Sequence, residues 1–120
     1  MNRDETVYLQ HILDAINRIE EYLHHVTEQS FHQQHLVQDG VIRQLEIIGE
    51  AARKISQEYK ASHPQIPWQD IAGTRDKLIH DYFGVDLGQV WLMAQDDIPE
   101  LKAEVAKILH AFKSKKDPDV

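Results

Sequence analysis

The sequence has no cysteine, only four prolines and five glycines, and no apolar run approaching the length of a bilayer. Each scarcity excludes something. Without cysteine there is neither a disulfide scaffold nor a thiolate zinc site. Without a run of about 20 apolar residues there is no transmembrane helix, and no membrane partner is expected. The first residues, Met1 to Tyr8, are charged and lead into no long apolar segment. They do not read as a secretory signal, so a cytoplasmic location is expected. Basic residues are also in short supply, with 13 Lys and Arg against 20 Asp and Glu and a formal net charge of −7. That balance argues against a general nucleic-acid binder, because phosphate neutralisation needs Lys and Arg. No DNA partner is expected.

What is present fits one soluble domain. The chain has 120 residues, 42% of them apolar and 28% charged, too few for two independent cores. The domain is expected over 1–113, with a charged tail at 114–120. Charge is unevenly spread. Residues 1–50 carry 3 basic and 9 acidic side chains, and residues 81–120 carry 5 and 8. Residues 51–80 carry 5 basic and 3 acidic side chains. A local positive patch of that size can handle one short stretch of RNA and cannot coat a duplex.

Helical periodicity dominates. Tyr8, Ile12, Ile16, Ile19, Leu23 and Val26 recur at three- and four-residue steps, predicting a helix of about six turns with Asp4 as its N-cap. Val37, Val41, Leu45, Ile48, Ala52, Ile55 and Tyr59 form a second, nearly heptad stripe that suits an antiparallel helix pair or a dimer seam. Gly40 and Gly49 weaken that helix, and close approach of another backbone is the expected compensation. Pro64 and Pro67 break the pattern, with Pro67 placed as the first residue of a third helix running from Trp68 to about His80. Gly84 and Asp86 predict the next turn and cap. Leu87, Val90, Trp91 and Ala94 predict a short fourth helix. Asp97, Ile98, Pro99 and Glu100 read as a capping box opening the last helix, with Leu101, Val105, Ile108, Leu109 and Phe112 on its face. No segment alternates with period two, so no sheet is expected. The fold class is all-α, an up-and-down bundle of about five helices, expected to be dimeric.

The chemistry is concentrated between Gly73 and Gly84, where Arg75, His80 and Tyr82 make the pattern R-x4-H-x-Y. This set suits phosphodiester cleavage without a metal. A histidine near its free pKa can take a proton from a ribose 2′-hydroxyl or give one to the leaving 5′-oxygen. A guanidinium offers a fixed fork of donors to charge growing at phosphorus. A tyrosine hydroxyl can bond a phosphate or accept a transferred group. By itself the spacing is a weak signal, and taken alone it favours a satisfied histidine at a helix end, an exposed arginine and a core tyrosine. At about 100° per residue Arg75 and Tyr82 share a helix face, while His80 points well over 100° away. The three converge only if the helix ends or bulges near His80, or if two copies of the motif meet.

The sequence resembles the HepT-like (DUF86) toxins of the HEPN superfamily. The matching residues are Arg75, His80 and Tyr82, with Asp76 as the polar residue that follows the motif arginine. Ile71 to Gly73, His80 to Leu87 and Arg43 to Ala51 also read like the family, as do Tyr8, Leu9, Ile12 and Leu13 at the start and Asp97 to Pro99 near the end. The likeness covers nearly the whole chain. It implies a homodimeric, metal-independent endoribonuclease, the toxin of a type VII pair, with two motifs facing each other across the subunit interface. The implied partners are RNA, a second copy of the chain with possible higher assembly, and a minimal nucleotidyltransferase antitoxin that transfers AMP onto the motif tyrosine. Carried over, Arg75 and His80 are catalytic and Tyr82 is both a site residue and the modification target. Asp76 and Glu50 are supporting residues, Glu50 as a candidate to position Arg75. No cofactor is implied.

Other features are weaker. His24, His25, His32 and His35 invite a metal reading, but their spacing lacks a metalloprotease pattern and looks like a polar helix connection. Trp68, Trp91 and Tyr59 suit base stacking or core packing, with packing the expected use. Lys113, Lys115 and Lys116 suit a solvated tail. The rival function is a non-catalytic nucleotide- or partner-binding module working with a nucleotidyltransferase.

Overall fold

The heptad-spaced stripe of the second predicted helix finds its partner within the chain. The computed structural model describes residues 3–74 and 86–116. Along them run α1 (Arg3–Tyr22), α2 (Glu28–Phe31), α3 (His35–Lys54), α4 (Gln57–Ala61), α5 (Trp68–Ala72), α6 (Leu87–Leu92) and α7 (Ile98–Lys116). A π-helical turn, Met93–Asp97, joins the last two, and no strand occurs among the described residues. The all-helical expectation is met.

Helices α1 and α3 pack antiparallel: Tyr22 meets Gly40 at one end, and Glu5 meets Ser56 just past the other. Leu9, Ile12, Ile16 and Ile19 face Val41, Leu45, Ile48 and Ala52, all almost wholly buried. Each leucine, isoleucine and valine among them contributes about 1.5–3 kcal/mol on burial, so this seam carries much of the core. Helix α7 closes the other side of α1 with Leu101, Val105 and Leu109. Lys102 donates to Glu20 there at 2.7 Å. The stripe on α3 is thus consumed inside one copy, and its regularity needs no second subunit to explain it.

The structure corrects several predicted boundaries. Helix α1 already includes Arg3, so Asp4 lies inside it and is not its N-cap. It stops at Tyr22, short of Val26, where the chain turns through His25 at φ 64° and Val26 N–H donates to the Leu23 carbonyl. Thr27 and Ser30 then cap α2 reciprocally, each hydroxyl accepting from the other's backbone N–H at 3.1 and 3.0 Å. The long second helix is broken: Ile55 is extended, and Ser56 starts α4 by accepting from Tyr59 N–H. Pro67 is the N-cap of α5 rather than its first residue. Of the third predicted helix, the part beyond Thr74 lies outside the described residues, as does Gly84. Asp86 caps α6 as expected.

No capping box opens the last helix. The chain passes from α6 into α7 through the π turn, with Ile98 helical and its N–H donating to the Met93 carbonyl. The reason is Pro99, which has no N–H and whose ring would crowd the carbonyl four residues back. A widened turn accommodates it without ending the helix. Helix α7 then continues to Lys116, three residues into the segment read as tail.

Candidate functional site

Arg75, Asp76, His80 and Tyr82 lie outside the described residues, so the structure defines the site by what holds its two ends. On the approach, Trp68 is buried and its Nε1 donates to the His63 carbonyl at 3.0 Å. Ile71 is buried, and its backbone presses on α3 at Gly49, where a Cβ would stand 3.2 Å from the Ile71 carbonyl oxygen. The close backbone approach expected at Gly49 is therefore found. At Gly40 the neighbour is instead the Tyr22 ring, 3.0 Å from where a Cβ would be.

Helix α5 ends at Gly73, whose N–H donates to the Gln69 carbonyl at 2.9 Å. Thr74 is buried, and its hydroxyl donates to the Asp70 carbonyl at 3.2 Å. On the departure, Asp86 Oδ1 accepts from Gln89 N–H at 3.1 Å, and Val90, the next residue, is fully buried. The chemistry-bearing segment therefore runs between two anchored ends, one docked on α3 and the other capped. Glu50 follows Gly49 directly, on the helix that carries α5, with an exposed side chain.

The other candidates resolve toward packing. Trp68 and Tyr59 are buried, and the half-buried Trp91 ring packs on Phe31 at 5.4 Å. The Tyr59 hydroxyl finds no hydrogen-bond partner among the described residues. Burial, with the Glu5 carboxylate nearby, pushes its pKa up to about 12. His24 and His25 are exposed, with ring centres 3.9 Å apart. Among the described residues no group of three or more His, Asp or Glu is arranged to hold a metal ion. No described helix is long and apolar enough to cross a membrane.

Helix α5 separates two recesses of opposite character. On one side is a cavity of about 340 Å³ with Leu45, Ile48 and Leu101 in its wall and Asp97, Glu100 and Glu104 at its rim. On the other is an open groove of about 700 Å³ between α4 and α5, with Arg53, Gln57, Lys60, Gln69 and Gly73 along it. Residue spacing missed Arg53 and Lys60. The basic excess of residues 51–80 was the available signal, but the packing of α5 that makes a groove beside them was not foreseen.

A small all-helical domain, with its motif-bearing segment held between a helix end docked on the core and a capped helix start, is the class that fold and site define. The chain matches the Ribonuclease HepT-like family over residues 12–108 and belongs to that family. It is 44% identical over 117 residues to the "Gamma-glutamylcyclotransferase and putative RNase" of Methanocaldococcus jannaschii, covering 98% of this chain and 53% of that protein, about half its length. It is 44% identical over 108 residues to the "Probable ribonuclease HepT" of Thermococcus cleftensis, covering 90% of this chain and 98% of that one. A "Putative RNase" of Caldanaerobacter subterraneus is 39% identical over 106 residues, 88% of this chain and 95% of that one. No solved structure matches the chain.

Proposed function

We propose that this protein is a metal-independent endoribonuclease toxin. The observation that carries the reading is that the family match over residues 12–108 contains an intact R-x4-H-x-Y set, Arg75, His80 and Tyr82. In the proposed reaction a ribose 2′-oxygen attacks the adjacent phosphorus and the bond to the 5′-oxygen breaks. One histidine takes the 2′-hydroxyl proton and an imidazolium gives a proton to the departing 5′-oxygen, leaving a 2′,3′-cyclic phosphate and a free 5′-hydroxyl. Arg75 holds the charge that builds on the phosphoryl oxygens.

Two proton-transfer groups are needed, and one motif supplies one histidine. A twofold dimer with two motifs at one cleft supplies both, and it also answers the helical phase that turns His80 away from Arg75 and Tyr82 within a single copy. Asp76 and Glu50 position the arginine.

Control is assigned to Tyr82. A nucleotidyltransferase partner that transfers AMP to its hydroxyl, releasing pyrophosphate from ATP, would put a phosphodiester and a base into the space RNA must occupy. The added negative charge would compete for Arg75. The test is growth after induction of the wild type and of His80→Ala, each with and without a co-expressed minimal nucleotidyltransferase. Arrest by the wild type alone, relieved by the partner with a mass gain of whole AMP units that Tyr82→Phe prevents, is the expected result. Arrest by His80→Ala equal to that by wild type overturns the catalytic assignment. An AMP gain that survives Tyr82→Phe moves the modification elsewhere.

A further inference from the structure

We propose that the groove between α4 and α5 is a track for the sugar–phosphate backbone of the RNA substrate, with Arg53 and Lys60 holding phosphates beside the cleavage site. The proposal rests on the ribonuclease reading above for what the strand is, and on the groove itself for where it runs.

Position comes first. Gly73 lines the groove and precedes Arg75 by two residues in the sequence, so the groove adjoins the stretch of chain that leads into the motif. Its walls are fixed before RNA arrives. Arg53 belongs to the last turn of α3. Gln57 and Lys60, three residues apart, share one face of α4, which Ser56 caps. Pro64 and Pro67 stiffen the connection beneath, and Trp68 is tied to the His63 carbonyl. Little ordering cost therefore remains to be met on binding.

Charge comes second. The chain is acidic overall, yet among the described residues along this groove Arg53 and Lys60 stand against one carboxylate, that of Asp70. Across α5 the other cavity is rimmed by Asp97, Glu100 and Glu104. A polyanion approaching this end of the molecule is repelled from one side of α5 and drawn to the other.

Chemistry sets what the groove reads. Arg53 is exposed, Lys60 is half-buried, and Gln57 and Gln69 add amide donors. Among the described residues the one aromatic ring in the wall, Trp68, is buried with its N–H committed, so no base stacks on it. The track therefore holds phosphates and not bases, and contributes affinity and direction without sequence preference. Its volume lies in the range of clefts that hold small ligands, roughly 300–1,000 Å³, enough for a short stretch of one strand and not for a duplex.

The test measures binding apart from cleavage. A short fluorescein-labelled 2′-O-methyl oligoribonucleotide, which has no free 2′-hydroxyl to attack, is titrated by anisotropy in EDTA across a salt series. The proteins are wild type, Arg53→Gln, Lys60→Gln, the conservative Arg53→Lys and Lys60→Arg, and Lys107→Gln as a distant control. Each glutamine variant should bind roughly three- to tenfold more weakly, and its log–log salt slope should be shallower by about 0.7, the loss of one single-strand phosphate contact. The conservative variants and Lys107→Gln should keep the wild-type slope. Wild-type affinity and slope in both glutamine variants overturns the track. Loss of binding in those variants, with no cleavage of any RNA by the wild type, keeps the track and removes the ribonuclease reading instead.

Discussion

The backbone N–H of Ser56 stands 3.3 Å from each carboxylate oxygen of Glu5, a contact that spans 51 residues of sequence. It pins the start of α1 to the break between α3 and α4, and so fixes where α4 begins its side of the basic groove. Glu5 is buried, and its charge is matched to a helix N-terminus, where amide groups and the helix dipole favour an anion.

Glu5→Ala should therefore destabilise the protein by about 0.5–1.5 kcal/mol, the net contribution of a hydrogen bond whose donor, on exposed Ser56, water can then reach. Urea denaturation checks this. An alanine variant with an unchanged midpoint would show that the contact contributes nothing.

Tyr59 supplies a pH signature at the same corner. Its pKa in the folded protein, about 12, lies above its ordinary value of 10.0 because burial and Glu5 disfavour the phenolate. The unfolded chain ionises first as pH rises, so this contribution to stability is complete below about pH 10 and is lost between about 10 and 12. Tyr59→Phe should remove that part of the alkaline loss. At pH 7 it should be neutral or stabilising, because the hydroxyl it deletes has no partner among the described residues. Thermal melts of both proteins from pH 8 to 12 check the sign; identical alkaline profiles would contradict it.

The two glycines of α3 should respond differently to alanine. Helix propensity alone favours alanine at each by up to about 1 kcal/mol. At Gly49 the added methyl meets the backbone carbonyl of Ile71, which cannot move without displacing α5. At Gly40 it meets the half-buried Tyr22 ring, which can swing aside. Gly49→Ala should be net destabilising and should also lower activity, because α5 carries the approach to Arg75. Gly40→Ala should cost less and leave activity in place. Equal effects in denaturation and RNA cleavage would show that α5 docking does not depend on that contact.

How much was legible in the sequence follows from these particulars. The faces of α1, α3 and α7 could be read because each keeps one apolar side over many turns. Gly49 could be read as a backbone approach, since a glycine among good helix formers needs a reason. The partner of Gly40 could not, because Tyr22 reaches it only through the antiparallel pairing of α1 with α3. The break at Ile55 was masked by Ile55 and Tyr59 themselves, which continue the heptad although Ser56 caps a new helix between them. The π turn left no trace in periodicity, which reads Pro99 as a start when the widened turn lets the helix run through it. On the functional side, the motif residues declared themselves by type and family pattern. Arg53 and Lys60 did not, because two cations seven residues apart read as one solvated helix face until α5 lies beside them to make a groove.

The most direct test of the central claim is cleavage of RNA by the purified protein in EDTA, with product ends identified by mass spectrometry. Cleavage that persists in chelator and leaves 2′,3′-cyclic phosphate or its opened form is the predicted result. Arg75→Ala and His80→Ala should each lower the rate by about a hundred- to a thousandfold with unchanged helicity by circular dichroism. Activity that vanishes in EDTA and returns with magnesium, or that survives both substitutions, would contradict the account.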